Sequence, residues 1–242
     1  MKLAAFDLEI AVPMSDDCRN VYEHDPPLGI SCAAVALSGT EEVKVWQDPA
    51  RLSEAAARDI VAYLKDLTIN GYTLVTWNGC HFDFAVLAKE SDLLRDCALL
   101  ALSHTDLMLL VAFQKGYGLK LEKALQGAGL AGKLKEVALA DGTILRGMNG
   151  VMAPELWARG EREAVLAYLK QDTLMTLRLA QSVLATKRIR WTSNRGTPQE
   201  VVVPRLLPVR DCLKLPEPDV SWMNTPPRPR GHYINWIPGD VA

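Results

Sequence analysis

The chain has 242 residues, 49% of them apolar and 23% charged, proportions that exclude a disordered or fibrous protein and allow a sizeable buried core. No apolar run approaches the length of a bilayer span, and two acids by position 9 deny the N-terminus a signal peptide's apolar centre. A cytoplasmic protein with no membrane partner is the expectation. The net charge of −2 hides an asymmetry: residues 1–186 hold 18 Lys and Arg against 24 Asp and Glu, while residues 187–242 hold 9 against 5, so an acidic body carries a basic tail.

Residues 2–8 read as a short buried strand, Leu28 to Ser38 as a second and Glu42 to Gln47 as a third, the last two joined through Ser38-Gly39-Thr40 as a hairpin. Residues 51–66 place Leu52, Ala56, Ile60, Tyr63 and Leu64 at helical spacing before Asn70-Gly71 breaks the pattern. Thr73 to Trp77 is a fourth strand, leading into a helix over about 82–102; Ser103 to Leu107 is a short fifth, followed by a helix to about Lys115. Residues 119–128 form a short helix. Glu136–Ala140 and Thr143–Arg146 form a hairpin whose Asp141-Gly142 suits a type I′ turn. A long amphipathic helix runs from Glu161 to about Lys187, with acids in its first turn and bases in its last. Nine of the 14 prolines fall between Pro198 and Pro238, which predicts extended segments and turns for the tail. The order predicts a mixed α/β layer architecture.

The five cysteines (Cys18, Cys32, Cys80, Cys97, Cys212) are widely spaced and form no CxxC, so they outline neither a zinc site nor a disulfide framework. The acids carry more. Asp7 and Glu9 are two apart on the first strand and so leave the same face. Paired carboxylates at a strand end repel and lose hydration unless a cation compensates them. Asp83 lies at the fourth strand's junction with the following helix, the edge where α/β sheets place their sites, though a helix N-cap is its bland reading. Tyr168 and Asp172, four apart, share one face of the long helix. Each piece alone arises readily by chance.

In order along the chain, Asp7-x-Glu9, Asn78-x-x-x-Phe82-Asp83 and Tyr168-x-x-x-Asp172 resemble the DEDD superfamily of 3′–5′ exonucleases. The match is to the tyrosine branch, which includes proofreading exonuclease domains of DNA polymerases; the histidine branch places its histidine where Ala167 stands here. The resemblance spans roughly residues 1–186. It implies a ribonuclease H-like mixed five-stranded sheet flanked by helices, an exonuclease domain over 1–188, and a basic, proline-rich extension over 189–242. It further implies that Asp7, Glu9, Asp83 and Asp172 hold two divalent cations with Asp7 between them, that Tyr168 orients the attacking water, that Asn78 and Phe82 grip the terminal nucleotide, and that Leu8 packs against its base. Plain core is the other reading of Phe82 and Leu8, with equal claim.

The chemistry explains the residue types. Two cations beside an anionic phosphodiester activate a water, stabilise the charge that builds up and support the leaving oxygen. All-oxygen ligands favour Mg²⁺, with Mn²⁺ able to substitute, over zinc. A tyrosine with an ordinary pKa near 10 positions water better than it deprotonates it. The expected activity is release of nucleoside 5′-monophosphates from the 3′ end of single-stranded DNA. An exoribonuclease of the same mechanism and an inactive nucleic-acid-binding scaffold are the alternatives.

Other residues fit less neatly. Cys80 and His81 lie inside the second motif, and His81 reads as a surface or supporting residue. Asp106, at the start of a helix, reads as a cap, with His104 just before it. Lys115, Lys120, Lys123, Lys133, Lys135 and Arg146 run between the second and third motifs as candidate phosphate contacts or simply as a solvated face. Gly127, Gly129 and Gly132 lack the Ser or Thr of a phosphate-binding loop. In the tail, Trp191, Trp222 and Trp236 alternate with arginines. They suit single-strand stacking, packing of the tail onto the body, or docking to a protein partner.

Overall fold

The computed structural model describes residues 1–241 apart from 16, 17, 19 and 41. Lys2–Ile10 forms β1, Ile30–Leu37 β2 and Val43–Gln47 β3; after helix α1 (Glu54–Ile69), Tyr72–Thr76 forms β4. Helices α2 (Asp83–Ser91) and α3 (Leu94–Ser103) precede the two-residue β5 (Thr105–Asp106), and α4 (Leu107–Lys115) and α5 (Leu121–Gly127) follow it. The sheet order is β3-β2-β1-β4-β5. β1 pairs antiparallel with β2 and parallel with β4, β2 pairs antiparallel with β3, and β4 pairs parallel with β5. This is the mixed five-stranded, helix-flanked sheet that the sequence predicts.

The helix expected over 82–102 is two helices, because Asp92 takes a left-handed φ of 54° and breaks the run. A small hairpin, β6 (Glu136–Ala138) and β7 (Ile144–Arg146), follows. Its turn is not type I′: only Gly142 has positive φ, at 85°, and Asp141 keeps the ordinary sign. A short helix absent from the sequence reading, α6 (Ala153–Ala158), then leads into α7 (Arg162–Thr186), which Lys187 ends with φ 59°.

Strand alternation divides β1 between two environments. Phe6 and Leu8 belong to the main core, where Phe6 meets Phe84 of α2 at 5.6 Å between ring centroids. Asp7 and Glu9 face the other way, opposite Ala34 and Cys32 of β2. Those two small residues belong to a second cluster, in which Trp157 of α6 and Val165, Tyr168 and Leu169 of α7 pack on the sheet. Helix α7 therefore lies across β1 and β2 on the carboxylate side.

The tail forms a hairpin, β8 (Arg188–Thr192) with β9 (Pro198–Val202), a short helix α8 (Val209–Cys212) and a 3₁₀ turn at Arg230–Ile234. It shares the main core: Ile189, Trp191, Val209, Tyr233 and Trp236 are all buried within it. Arg230 fastens the end of the chain by donating to the carbonyls of Leu213 and Pro216 at 2.7 and 3.0 Å while its guanidinium lies 5.0 Å from the Phe113 ring. Trp191 and Trp236 thus pack the tail onto the body, and Trp222 alone of the three stays open to solvent. No helix among the described residues is long and apolar enough to cross a membrane.

Candidate active site

Three segments remote in sequence bring the predicted acids together. β1 supplies Asp7 and Glu9, the first residue of α2 is Asp83, and α7 supplies Tyr168 and Asp172 one turn apart. Glu9, Asp83 and Asp172 are buried, at 7, 3 and 3% exposure, and Asp7 is the most open of the four. Asp83 does not cap its helix; its Oδ1 accepts the Leu8 N–H at 3.0 Å, tying α2 to β1 between the two acids of the first strand. The same N–H reaches Asp7 Oδ1 at 3.1 Å.

The electrostatics follow from crowding. Burial pushes the Asp7 carboxyl well above the usual range, and the charges of Asp83 and Asp172 push it further. Burial also raises Glu9, aided by Asp7 and Asp172. Asp83 is raised to about 7, again by burial, against the Asp7 and Leu8 hydrogen bonds that pull it down. Asp172 is raised by burial and relieved by Lys133, whose Nζ stands 2.5 Å from Asp172 Oδ2 and 4.9 Å from the centre of the Tyr168 ring. Tyr168 is buried, and its surroundings raise its pKa, chiefly through burial and then through Asp172, Glu9 and Asp7, so its hydroxyl stays protonated.

This donor set fits hard divalent cations. It offers only carboxylate and phenol oxygens, its repulsion calls for positive charge, and two buried polar atoms, Asp172 Oδ1 and Tyr168 Oη, complete no well-formed hydrogen bond although they lie near each other. Among the described residues, no three Asp, Glu, His or Cys side chains surround a common point as a ready-made cage. The ammonium of Lys133 lies against Asp172 and brings positive charge to the cluster.

The loop between β4 and α2 is held from two sides. From below, Asp106 accepts the N–H groups of Asn78 and Cys80 at 2.9 and 3.0 Å as well as those of Met108 and Leu109 at the start of α4. The cap read from sequence is real, and it also clamps the neighbouring loop. Burial lifts Asp106 to about 6 despite those four bonds. From the tail, Trp236 Nε1 donates to the Cys80 carbonyl at 2.8 Å, and the Cys80 thiol donates to the Tyr233 carbonyl at 3.6 Å. Within the loop Asn78 takes φ 70°. Gly79 has no room for a side chain, since a Cβ there would lie 2.5 Å from Thr76 Oγ1.

Of the residues predicted to touch substrate, Asn78 and Phe82 are half-buried at the edge of this loop. Leu8 needs correcting: strand alternation turns its side chain away from Asp7 and Glu9 into the main core at 3% exposure, so it presents no surface to a base and contributes its N–H instead. His81 is half-buried and takes the supporting place of its two readings. It stacks on His232 of the tail at 4.5 Å, and burial lowers its pKa to about 4. His104 is structural, its Nδ1 bonded to the Ala101 carbonyl at 2.7 Å and its Nε2 to the Thr76 hydroxyl at 2.9 Å. Sequence reasoning placed Lys133 in an undifferentiated basic run and gave Tyr233 and Trp236 no part in the site. Nothing in their local spacing marks them; only the fold does.

A mixed sheet with acids from its central strand, a neighbouring strand-to-helix junction and a crossing helix defines a ribonuclease H-like protein. The chain belongs to the RNase_H superfamily, whose sequence profile matches residues 25–184. That span contains Asp83, Tyr168 and Asp172 and begins after Asp7 and Glu9. Among solved structures, the fold is similar to the family B DNA polymerase of the hyperthermophilic archaeon Pyrobaculum calidifontis, with a TM-score of 0.56 and 18% identity over 76% of this chain and 24% of that one. The chain therefore spans about a quarter of the polymerase's length. No curated protein sequence matches significantly. Family and fold together support a nuclease acting on nucleic acid, a class that generally uses divalent metals.

Proposed function

We propose that this chain is a metal-dependent 3′–5′ exonuclease of the tyrosine branch, releasing nucleoside 5′-monophosphates from the 3′ end of single-stranded DNA. The observation that carries the reading is the convergence of Asp7, Glu9, Asp83 and Asp172 with Tyr168 into one buried, mutually repelling cluster. Two Mg²⁺ ions, or Mn²⁺ in their place, held by the four carboxylates would supply the charge that activates water and stabilises the pentacoordinate phosphorus.

The chain's own residues do the rest. Tyr168, its phenol kept protonated, holds the attacking water by a hydrogen bond rather than taking its proton. Asn78 and Phe82 grip the terminal nucleotide from the loop that Asp106 and Trp236 fix. Lys133 steadies Asp172 and opposes the negative charge of the cluster.

The test is incubation of the full chain with end-labelled single-stranded DNA and RNA in Mg²⁺, Mn²⁺ or EDTA. Stepwise shortening from the 3′ end is expected, abolished by EDTA, by Asp7→Ala and by Asp83→Ala, and slowed by Tyr168→Phe with substrate binding retained. Cleavage that persists in EDTA refutes the mechanism, and degradation of RNA alone refutes the choice of DNA.

A further inference from the structure

The turn over residues 219–223 is exposed, yet several contacts fix it in place. Gly116, at the C-terminal cap of α4 with φ 81°, is its seat: a Cβ there would lie 2.5 Å from Val220 Cγ1 and 3.3 Å from Met223 Sδ. Asp219 organises the turn, its Oδ1 accepting the Ser221 N–H at 3.0 Å and its carbonyl accepting Trp222 Nε1 at 3.0 Å. These contacts hold out a tryptophan that is 63% exposed.

Its neighbour is aromatic too. Trp222 meets Tyr117 edge-on, with ring centroids 6.0 Å apart at 90°, and Tyr117 meets the buried Trp191 at 6.4 Å and 80°. Lys115 Nζ lies 5.9 Å from the Trp191 ring. Lys120 lies three residues beyond Tyr117, and Arg228 follows Pro227, which also packs at Gly116.

This surface adjoins the candidate active site. Trp77, next to Asn78, donates its indole N–H to the Leu119 carbonyl at 3.1 Å, two residues from Tyr117. On the other side, Glu122 at the start of α5 accepts the Lys133 N–H at 2.8 Å, and Lys133 reaches Asp172. The segment carrying Tyr117 is thus tied at Leu119 to the loop of Asn78 and at Glu122, through Lys133, to Asp172.

We propose that Trp222 and Tyr117, with Lys115 and Lys120 on the Tyr117 segment, form a stacking platform for the bases of the single strand that precede its terminal nucleotide. The chemistry matches that occupant. Every base has a π-face to lay against an exposed ring, whatever the sequence, and the flanking cations meet the phosphates. A duplex keeps its bases stacked on one another and gains nothing from the platform. The proposal deepens the exonuclease reading by giving the enzyme a grip on strand length separate from its grip on the 3′ end.

The test is fluorescence anisotropy with the full chain in EDTA at low salt, using labelled oligothymidylates of three and of twelve nucleotides and a duplex of the longer length. Trp222→Ala is expected to weaken binding of the long single strand by about ten-fold, while Trp222→Phe keeps most of the affinity. Binding of the short strand and of the duplex is expected to stay unchanged. Trp222 touches none of the candidate catalytic groups, so thermal melting of both variants should match the parent and cleavage of the short strand should continue. An unchanged affinity for the long strand, or an equal loss on the short strand or the duplex, overturns the proposal. Because binding is read without hydrolysis, a Trp222 effect on an inactive protein sinks the exonuclease reading alone. Hydrolysis with no Trp222 effect sinks the platform alone.

Discussion

Replacing Lys133 with methionine keeps the side chain's apolar stem and removes its charge. Without metal, Asp172 then loses its ion pair at 2.5 Å while its other oxygen already lacks a well-formed hydrogen bond. Removing one partner of a fully buried pair costs about 3–5 kcal/mol. The Lys133 side chain is 28% exposed against 4% for Asp172, and Asp172 can relieve itself by taking up a proton, so the cost here falls to about 2 kcal/mol. For a chain of this size that is a drop in Tm of about 4–8 °C. If the carboxylates hold Mg²⁺, the metal supplies the missing positive charge, and the penalty should shrink to about 0.5 kcal/mol or less in saturating Mg²⁺. The assay is thermal unfolding of parent and variant at pH 8, in EDTA and across a Mg²⁺ titration. A drop in Tm of the same size with and without Mg²⁺ would show that the metal does not enter this cluster and would refute the reasoning.

Other outcomes follow from the same contacts. In EDTA the protein should lose stability as pH rises from about 4 to 7, because burial lifts the Asp106 and Asp83 carboxyls to about 6 and about 7, well above an exposed aspartate. The folded state binds more protons than the unfolded one across that window, so Asp106 alone contributes about 3 kcal/mol over the whole titration and about 1.4 kcal/mol of it between pH 5 and pH 8, measurable by urea unfolding at those two values. Mg²⁺ should flatten the part due to Asp83 and leave the Asp106 part in place. Asp106→Ala strands four N–H groups and should cost about 3–5 kcal/mol in the same measurement. Trp236→Phe removes the donor to the Cys80 carbonyl; it should lower Tm by about 2–4 °C and raise KM for DNA more than it lowers kcat. Deleting 189–242 takes Trp191, Val209 and Trp236 out of the core, and the remaining fragment should show no cooperative melting transition by circular dichroism.

Much of the fold was legible because its signals are local. The β-branched run of β2, the turn before β3 and the helical spacing of α1 and α7 each follow from a few adjacent residues. The break at Asp92 carries only a faint mark in the sequence, because aspartate is a poor helix former but far less disruptive than proline, and no Gly or Pro stands at the change. Helix α6 was missed because it has only six residues. At the site, spacing alone put Asp7 and Glu9 on one face, and the motif order gathered the rest. The same alternation, carried one step further, would have turned Leu8 inward. Lys133 and Trp236 lay beyond reach for a different reason. A lysine in an irregular loop and a tryptophan in a proline-rich tail acquire their partners, Asp172 and the Cys80 carbonyl, only through tertiary packing across 39 and 156 residues.

The anchoring of the Cys80 loop by residues 153 and 156 positions downstream also bears on how the protein is made. A ribosome delivers Asp7, Glu9, Asp83 and Asp172 well before Tyr233 and Trp236. A nascent chain therefore holds the four clustered acids while the loop beside them still lacks one of its two fastenings. Gathering the acids and fastening the loop beside them are therefore separate steps in time, the second possible only once residues 233–236 have emerged.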